Sequence, residues 1–63
     1  MIILNDKKVE NPKTLLKLIK KYAIEKNGVC ILVNGKIVEK AKWKNYRIKD
    51  GDRIEIVGFV GGG

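Results

Sequence analysis

The chain has 63 residues, 44% of them hydrophobic, with 14 Lys and Arg against 7 Asp and Glu, no histidine and a single cysteine, Cys30. That length allows one small domain, residues 1–63, with one modest apolar core. One cysteine excludes a disulfide staple, the lack of a Cys/His cluster leaves a structural zinc without ligands, and the apolar runs are too short to span a membrane.

From the start of the chain, "MIILN" reads as a short strand, "DKK" as a turn and "KVE" as a weak return strand, an N-terminal hairpin. "MIILND" has no basic leader and no long apolar stretch, which points to a cytoplasmic protein with a reduced cysteine. A helix follows: Asn11 is placed to cap it, Pro12 fits the first helical position, and Leu15, Leu18, Ile19 and Tyr22 make one apolar stripe. Asn27 and Gly28 are expected to stop it, since both tolerate the left-handed conformation. Lys13, Lys17, Lys20 and Lys21 share a helical face, which reads as a solvated face or the binding face for an acidic protein rather than a nucleic-acid site.

"VCILV" is a strand rich in β-branched residues, and Asn34-Gly35 is a strong hairpin signal leading to "KIV". "EKAKWKNYRI" lacks a clean period and is expected to wrap a sheet edge with a short helical turn, with Trp43 and Tyr46 covering the open end of the core. "KDGD" is a turn, and its two aspartates are read as turn residues rather than a metal or acid/base pair. "RIEIVGFV" is the last strand. The order β-β-α-β-β-β leaves one helix to cover one face of one mixed sheet of about five strands. This is an α+β architecture, the β-grasp.

Strand parity assigns the two faces. Ile54 and Ile56 flank Glu55 and face the helix, as do Val29, Ile31, Val33, Ile2 and Leu4. Cys30, a small hydrophobe in its strand, then faces out, and so does an apolar group of Ile3, Leu32, Val57 and Phe59. One helix cannot cover both faces, so this group is expected to be exposed and to serve as a partner-docking surface.

The strand order, the "VNGKIV" hairpin, Trp43, "IKDGD" and the ending "IEIVGFVGGG" resemble the ThiS family, the ubiquitin-like sulfur carriers of thiazole biosynthesis. The resemblance runs over the whole chain, and the glycine ending is its most specific part. It implies a carrier that is not itself an enzyme, needs no cofactor and is a monomer when free. An E1-like enzyme would use ATP to adenylate the Gly63 carboxylate, a donor such as a cysteine desulfurase would supply sulfur to make a thiocarboxylate, and thiazole synthase would take that sulfur. The tail suits this chemistry. An α-carboxyl is ionised at neutral pH, and Gly61, Gly62 and Gly63 have no Cβ to block entry into a narrow channel. Carriers for molybdopterin synthesis or tRNA thiolation share the glycine ending and remain alternatives, as does a small basic nucleic-acid-binding module.

Overall fold

Two tight turns shape the sheet. In the computed structural model, which describes residues 1–25 and 27–58, Asn34 (φ 51°) and Gly35 (φ 85°) join strands β3 (Val29–Val33) and β4 (Lys36–Val38). Asn5 (φ 47°) and Asp6 (φ 71°) likewise join β1 (Ile2–Leu4) to β2 (Lys7–Val9). Both are two-residue turns with positive φ at both central positions, the form that matches strand twist. The first hairpin therefore turns at Asn5-Asp6, one residue before the expected "DKK", because Asn and Asp enter the left-handed region more readily than Lys.

The last described strand, β5 (Arg53–Gly58), lies in the middle of a five-stranded sheet of order β2-β1-β5-β3-β4. It runs parallel to β1, with Ile3 opposite Arg53, and antiparallel to β3, with Ile31 opposite Ile56. Both hairpins are antiparallel. The expected mixed sheet is present.

The helix differs from expectation at both ends. Helix α1 spans Leu15–Lys21, capped by Thr14, whose hydroxyl accepts from the Lys17 amide at 3.2 Å. Asn11 instead accepts from the Lys13 amide (2.8 Å) and donates its side-chain amide to the Ile48 carbonyl (3.0 Å). Backbone bonds from Leu15 to Tyr46 and from Ile48 to Lys13 tie the helix entry to the later loop, which puts the first helical turn after Pro12. At the other end, Ala23 takes φ 51°, its amide bonds to Lys20, and the Ile24 amide bonds to Ile19. This is a Schellman motif, and the half-buried Ile24 packs on the core just past it. The helix thus stops well before Asn27-Gly28. Tyr22 does not close the apolar stripe; it is the C-cap, 38% exposed, with the Lys21 ammonium over its ring.

The core comprises Ile2, Leu4, Leu15, Leu18, Ile19, Ile31, Val33, Trp43, Ile48 and Ile54. Val29 and Ile56 face the same layer but are only half-buried, since they lie toward the β5 end of the sheet. The irregular segment forms a 3-10 helix, Lys40–Asn45, packed against α1. It drives Trp43 into the core at 2% exposure, and the indole Nε1 donates to the Val38 carbonyl at 2.9 Å, so the ring is buried without an orphaned donor. Tyr46 is half-buried beside it, in line with the expected cover.

Ala23 carries a Cβ in a conformation that glycine adopts freely. Ala23→Gly should raise the stability by about 1 kcal/mol, read as a higher urea midpoint at unchanged slope.

Candidate functional site

The outer face of the sheet is built by register. Leu32 on β3 lies opposite Glu55 on β5 and opposite Ile37 on β4; Cys30 lies opposite Val57. Their neighbours Ile31, Val33 and Ile54 are buried under the helix, so these side chains point the other way. Val57 is 50% exposed and Ile37 67%, while Leu32 and Cys30 are half-buried. An apolar strip therefore crosses the outer face over β4, β3 and β5, with Glu55 inside it.

Of the residues expected there, Leu32 and Val57 are brought together as diagonal neighbours. Ile3 is half-buried beside Arg53, one strand over and at the other end of β5, about 13 Å along the strand from Val57. Arg53, held by Asp6 at 3.5 Å, stands beside it on β5 and separates it from the strip. Phe59, Gly61, Gly62 and Gly63 lie outside the described residues. Ile37 was not among the residues singled out from sequence. The two-residue turn after Val33 already sets Leu32 opposite Ile37, so the hairpin register was the signal for it.

The start of β5 is held by side chains from both hairpins. The Asn34 carboxamide accepts from the Arg53 amide (2.9 Å) and donates to Asp52 (3.0 Å). On the other side, the Asn5 carboxamide accepts from the Ile56 amide at 2.9 Å. In the turn before the strand, the Asp52 carboxylate accepts from the Lys49 amide (2.9 Å), and Gly51 (φ 90°) donates to the Met1 carbonyl (2.8 Å). Asp50 accepts from the Asn11 carboxamide (3.1 Å) and faces the N-terminal amine (3.3 Å). The Asn11 hydrogen bond first, and the bond and charge of the N-terminal amine next, hold its carboxyl below its ordinary pKa of 3.8. Both aspartates of "KDGD" thus have structural partners.

Among the described residues no group of three or more His, Cys, Asp and Glu side chains could hold a metal ion, and no helix is long and apolar enough to cross a membrane. The geometry offers a surface and a central strand that leads away from it.

A helix laid on one face of a sheet of this order, with the opposite face open, is the ubiquitin-like β-grasp. The family model of the ThiS family matches residues 3–63, and the chain belongs to that family. It is 38% identical over 66 residues to the sulfur carrier protein ThiS of Bacillus subtilis, with both chains covered in full. It is also 34% identical over 50 residues to a thiazole synthase of Paramagnetospirillum magneticum, a match covering 79% of this chain but 15% of that protein. The crystal structure of the thiamine biosynthesis protein ThiS from Geobacter metallireducens superposes with a TM-score of 0.79 at 24% identity, covering 98% of this chain and 97% of the other. The solution structure of a thiamine biosynthesis protein from the same organism gives 0.73, covering 98% and 86%.

A carboxyl with a lowered pKa contributes stability that is complete above its unfolded pKa and lost as pH falls through the folded value. On acidification from about pH 5 to about pH 2, the wild-type urea midpoint should therefore fall more steeply than that of Asp50→Asn, whose side chain cannot titrate.

Proposed function

We propose that this chain is a sulfur carrier for the thiazole of thiamin and that Gly63 is the residue on which the sulfur travels. The Gly63 carboxylate oxygen attacks the α-phosphorus of ATP on an E1-like enzyme, and pyrophosphate leaves. The terminal sulfur of a persulfide on a donor such as a cysteine desulfurase then attacks the carbonyl of the mixed anhydride and AMP leaves. A thiol reductant cleaves the S–S bond of the acyl persulfide, taking the donor sulfur into a disulfide and leaving the other sulfur on Gly63. The resulting thiocarboxylate hands its sulfur to a thiazole synthase. In this reading the chain is a substrate of its partners rather than an enzyme, works as a cytoplasmic monomer, and needs no metal or cofactor of its own.

The observation that carries the reading is the placement of β5. It is the central strand, anchored from both sides, and it runs past an exposed apolar strip toward a sequence ending in three glycines. A rigid root beside a docking surface aims the end of the chain, while residues without a Cβ permit close approach in a narrow channel. The same terminal chemistry would serve molybdopterin synthesis or tRNA thiolation. The similarity to proteins named for thiamin and thiazole synthesis favours the thiazole pathway.

The reaction is tested directly. Incubated with ATP, an E1-like adenylating enzyme and a sulfur donor, the protein should exchange one oxygen for sulfur by intact mass. One residue added after Gly63 should abolish the exchange without unfolding the domain, and Gly62→Val should slow it because a β-branched side chain restricts the backbone. Normal thiolation of the extended protein would overturn the assignment.

The docking surface is tested separately. Ile37→Ser combined with Val57→Ser should leave stability nearly unchanged, because both side chains are exposed. It should raise the carrier's KM in ATP–pyrophosphate exchange by about fivefold or more. Phe59→Ala should weaken binding to the E1-like enzyme and to thiazole synthase by more than about 1 kcal/mol, as an aromatic anchor would.

A further inference from the structure

The positive charge of the chain is not spread evenly over its two layers. Helix α1 holds Lys17, Lys20 and Lys21, and the 3-10 helix holds Lys40, Lys42 and Lys44; neither element has an acidic residue. Six of the 14 cations, and none of the 7 acids, thus lie on two short helices. Their charge of +6 nearly equals the +7 of the entire chain, so the remaining residues are close to neutral. The helices pack against each other and send Leu15, Leu18 and Trp43 into one core, while all six lysines are exposed. The cations therefore occupy the helical layer, with α1 on the side of the sheet away from Leu32 and Val57, and with Lys42 at the β4 edge, where it lines one concavity with Glu39 and Ile37.

Among the described residues these six charges form no ion pair, although Glu25 and Glu39 line concavities with Lys20 and Lys42. The ion pairs among the described residues are Met1 with Asp50 and Arg53 with Asp6, and none of the six lysines takes part. Lys40 donates to a neutral partner, the Asn27 carboxamide, at 2.7 Å, and Lys21 lies over the Tyr22 ring. Lys17 stands three and four residues before Lys20 and Lys21, a spacing at which like charges repel on a helix. Nothing in the fold requires this, since the apolar stripe lies on the other side of α1.

We infer that the helical layer is a second binding surface, and that its partner is an acidic protein surface. The chemistry separates this from a nucleic-acid site. Single-stranded nucleic acid is held by exposed aromatic rings as well as cations. Here Trp43 is buried with its N–H engaged, Tyr46 is half-buried, and the Tyr22 ring already carries a lysine. The two helices contain no arginine, the side chain whose fork matches phosphate in two bonds. Lysines on flexible stems act as point charges that attract carboxylates over a broad area and speed encounter. Because α1 lies on the side of the sheet away from Leu32 and Val57, an acidic partner held by it leaves that part of the strip free for another protein.

The probe is poly-L-glutamate, titrated into 15N-labelled protein at about 0.1 M salt, where charges farther apart than roughly 10 Å are screened. Amide shifts should concentrate in α1 and the 3-10 helix and leave Leu32, Glu55 and Val57 unmoved. Replacing Lys17, Lys20, Lys42 and Lys44 by Gln should weaken binding by about fivefold or more. Replacing Lys7, Lys8, Lys36 and Lys49 by Gln removes the same charge elsewhere and should change it by less than about twofold. Equal losses in the two variants, shifts spread over the sheet, or no binding at this salt would overturn the inference. An oligothymidylate of matched charge binding tighter than polyglutamate would also overturn it, and would identify a nucleic-acid surface instead. Thiolation of Gly63 is not read in this experiment, so the inference stands or falls apart from the carrier function.

Discussion

The fold depends on the pairing of β5 with β1 on one side and β3 on the other. Each hairpin alone offers two short strands, and an isolated hairpin is marginally stable at best in water. β5 joins them into one sheet with a continuous apolar layer, to which it contributes the fully buried Ile54. Asparagine carboxamides reinforce the join, because Asn5 and Asn34 each accept from a β5 amide. The same residues allow the tight turns to form, so one residue type shapes each hairpin and binds it to the centre.

The edges are treated differently. β2 and β4 are three residues long and carry Lys7, Lys8 and Lys36, which discourages pairing with another chain. The 3-10 helix also wraps β4, and Trp43 takes up the Val38 carbonyl there. Among the described residues, apolar surface is therefore offered across the strands of the outer face rather than along an open edge. This distinction favours docking of a shaped protein surface over strand addition.

Much of this was legible in the sequence where a local rule acts alone. The alternation of Arg53, Ile54, Glu55 and Ile56 set the faces of β5, and Asn34-Gly35 set a hairpin whose strands were read to the residue. The helix ends were misread because tertiary contacts decide them: the bonds to Tyr46 and Ile48 fix the start, and the docking of Ile24 forces Ala23 into the left-handed region. Ile48, buried in the core, sits in a segment with no period and gave no signal of its own. At the candidate site, parity found Leu32 and Val57, but the grouping of Ile3 with them required the β1–β5 register, which depends on a contact between opposite ends of the chain. The glycine ending was plain in the sequence, where it needs no fold to be read.

The parallel pairing of Ile3 with Arg53 also constrains the order in which the molecule is made. Contacts so distant in sequence raise the loop-closure cost of folding and slow it. During synthesis β1, β2, α1, β3 and β4 all emerge before the strand that unites them, so the core stays incomplete until β5 arrives. Two residues separate the end of this strand from the three glycines in the sequence. The outer apolar strip over β3, β4 and β5 is therefore completed in a nascent chain only once β5 has been made and has paired between β1 and β3.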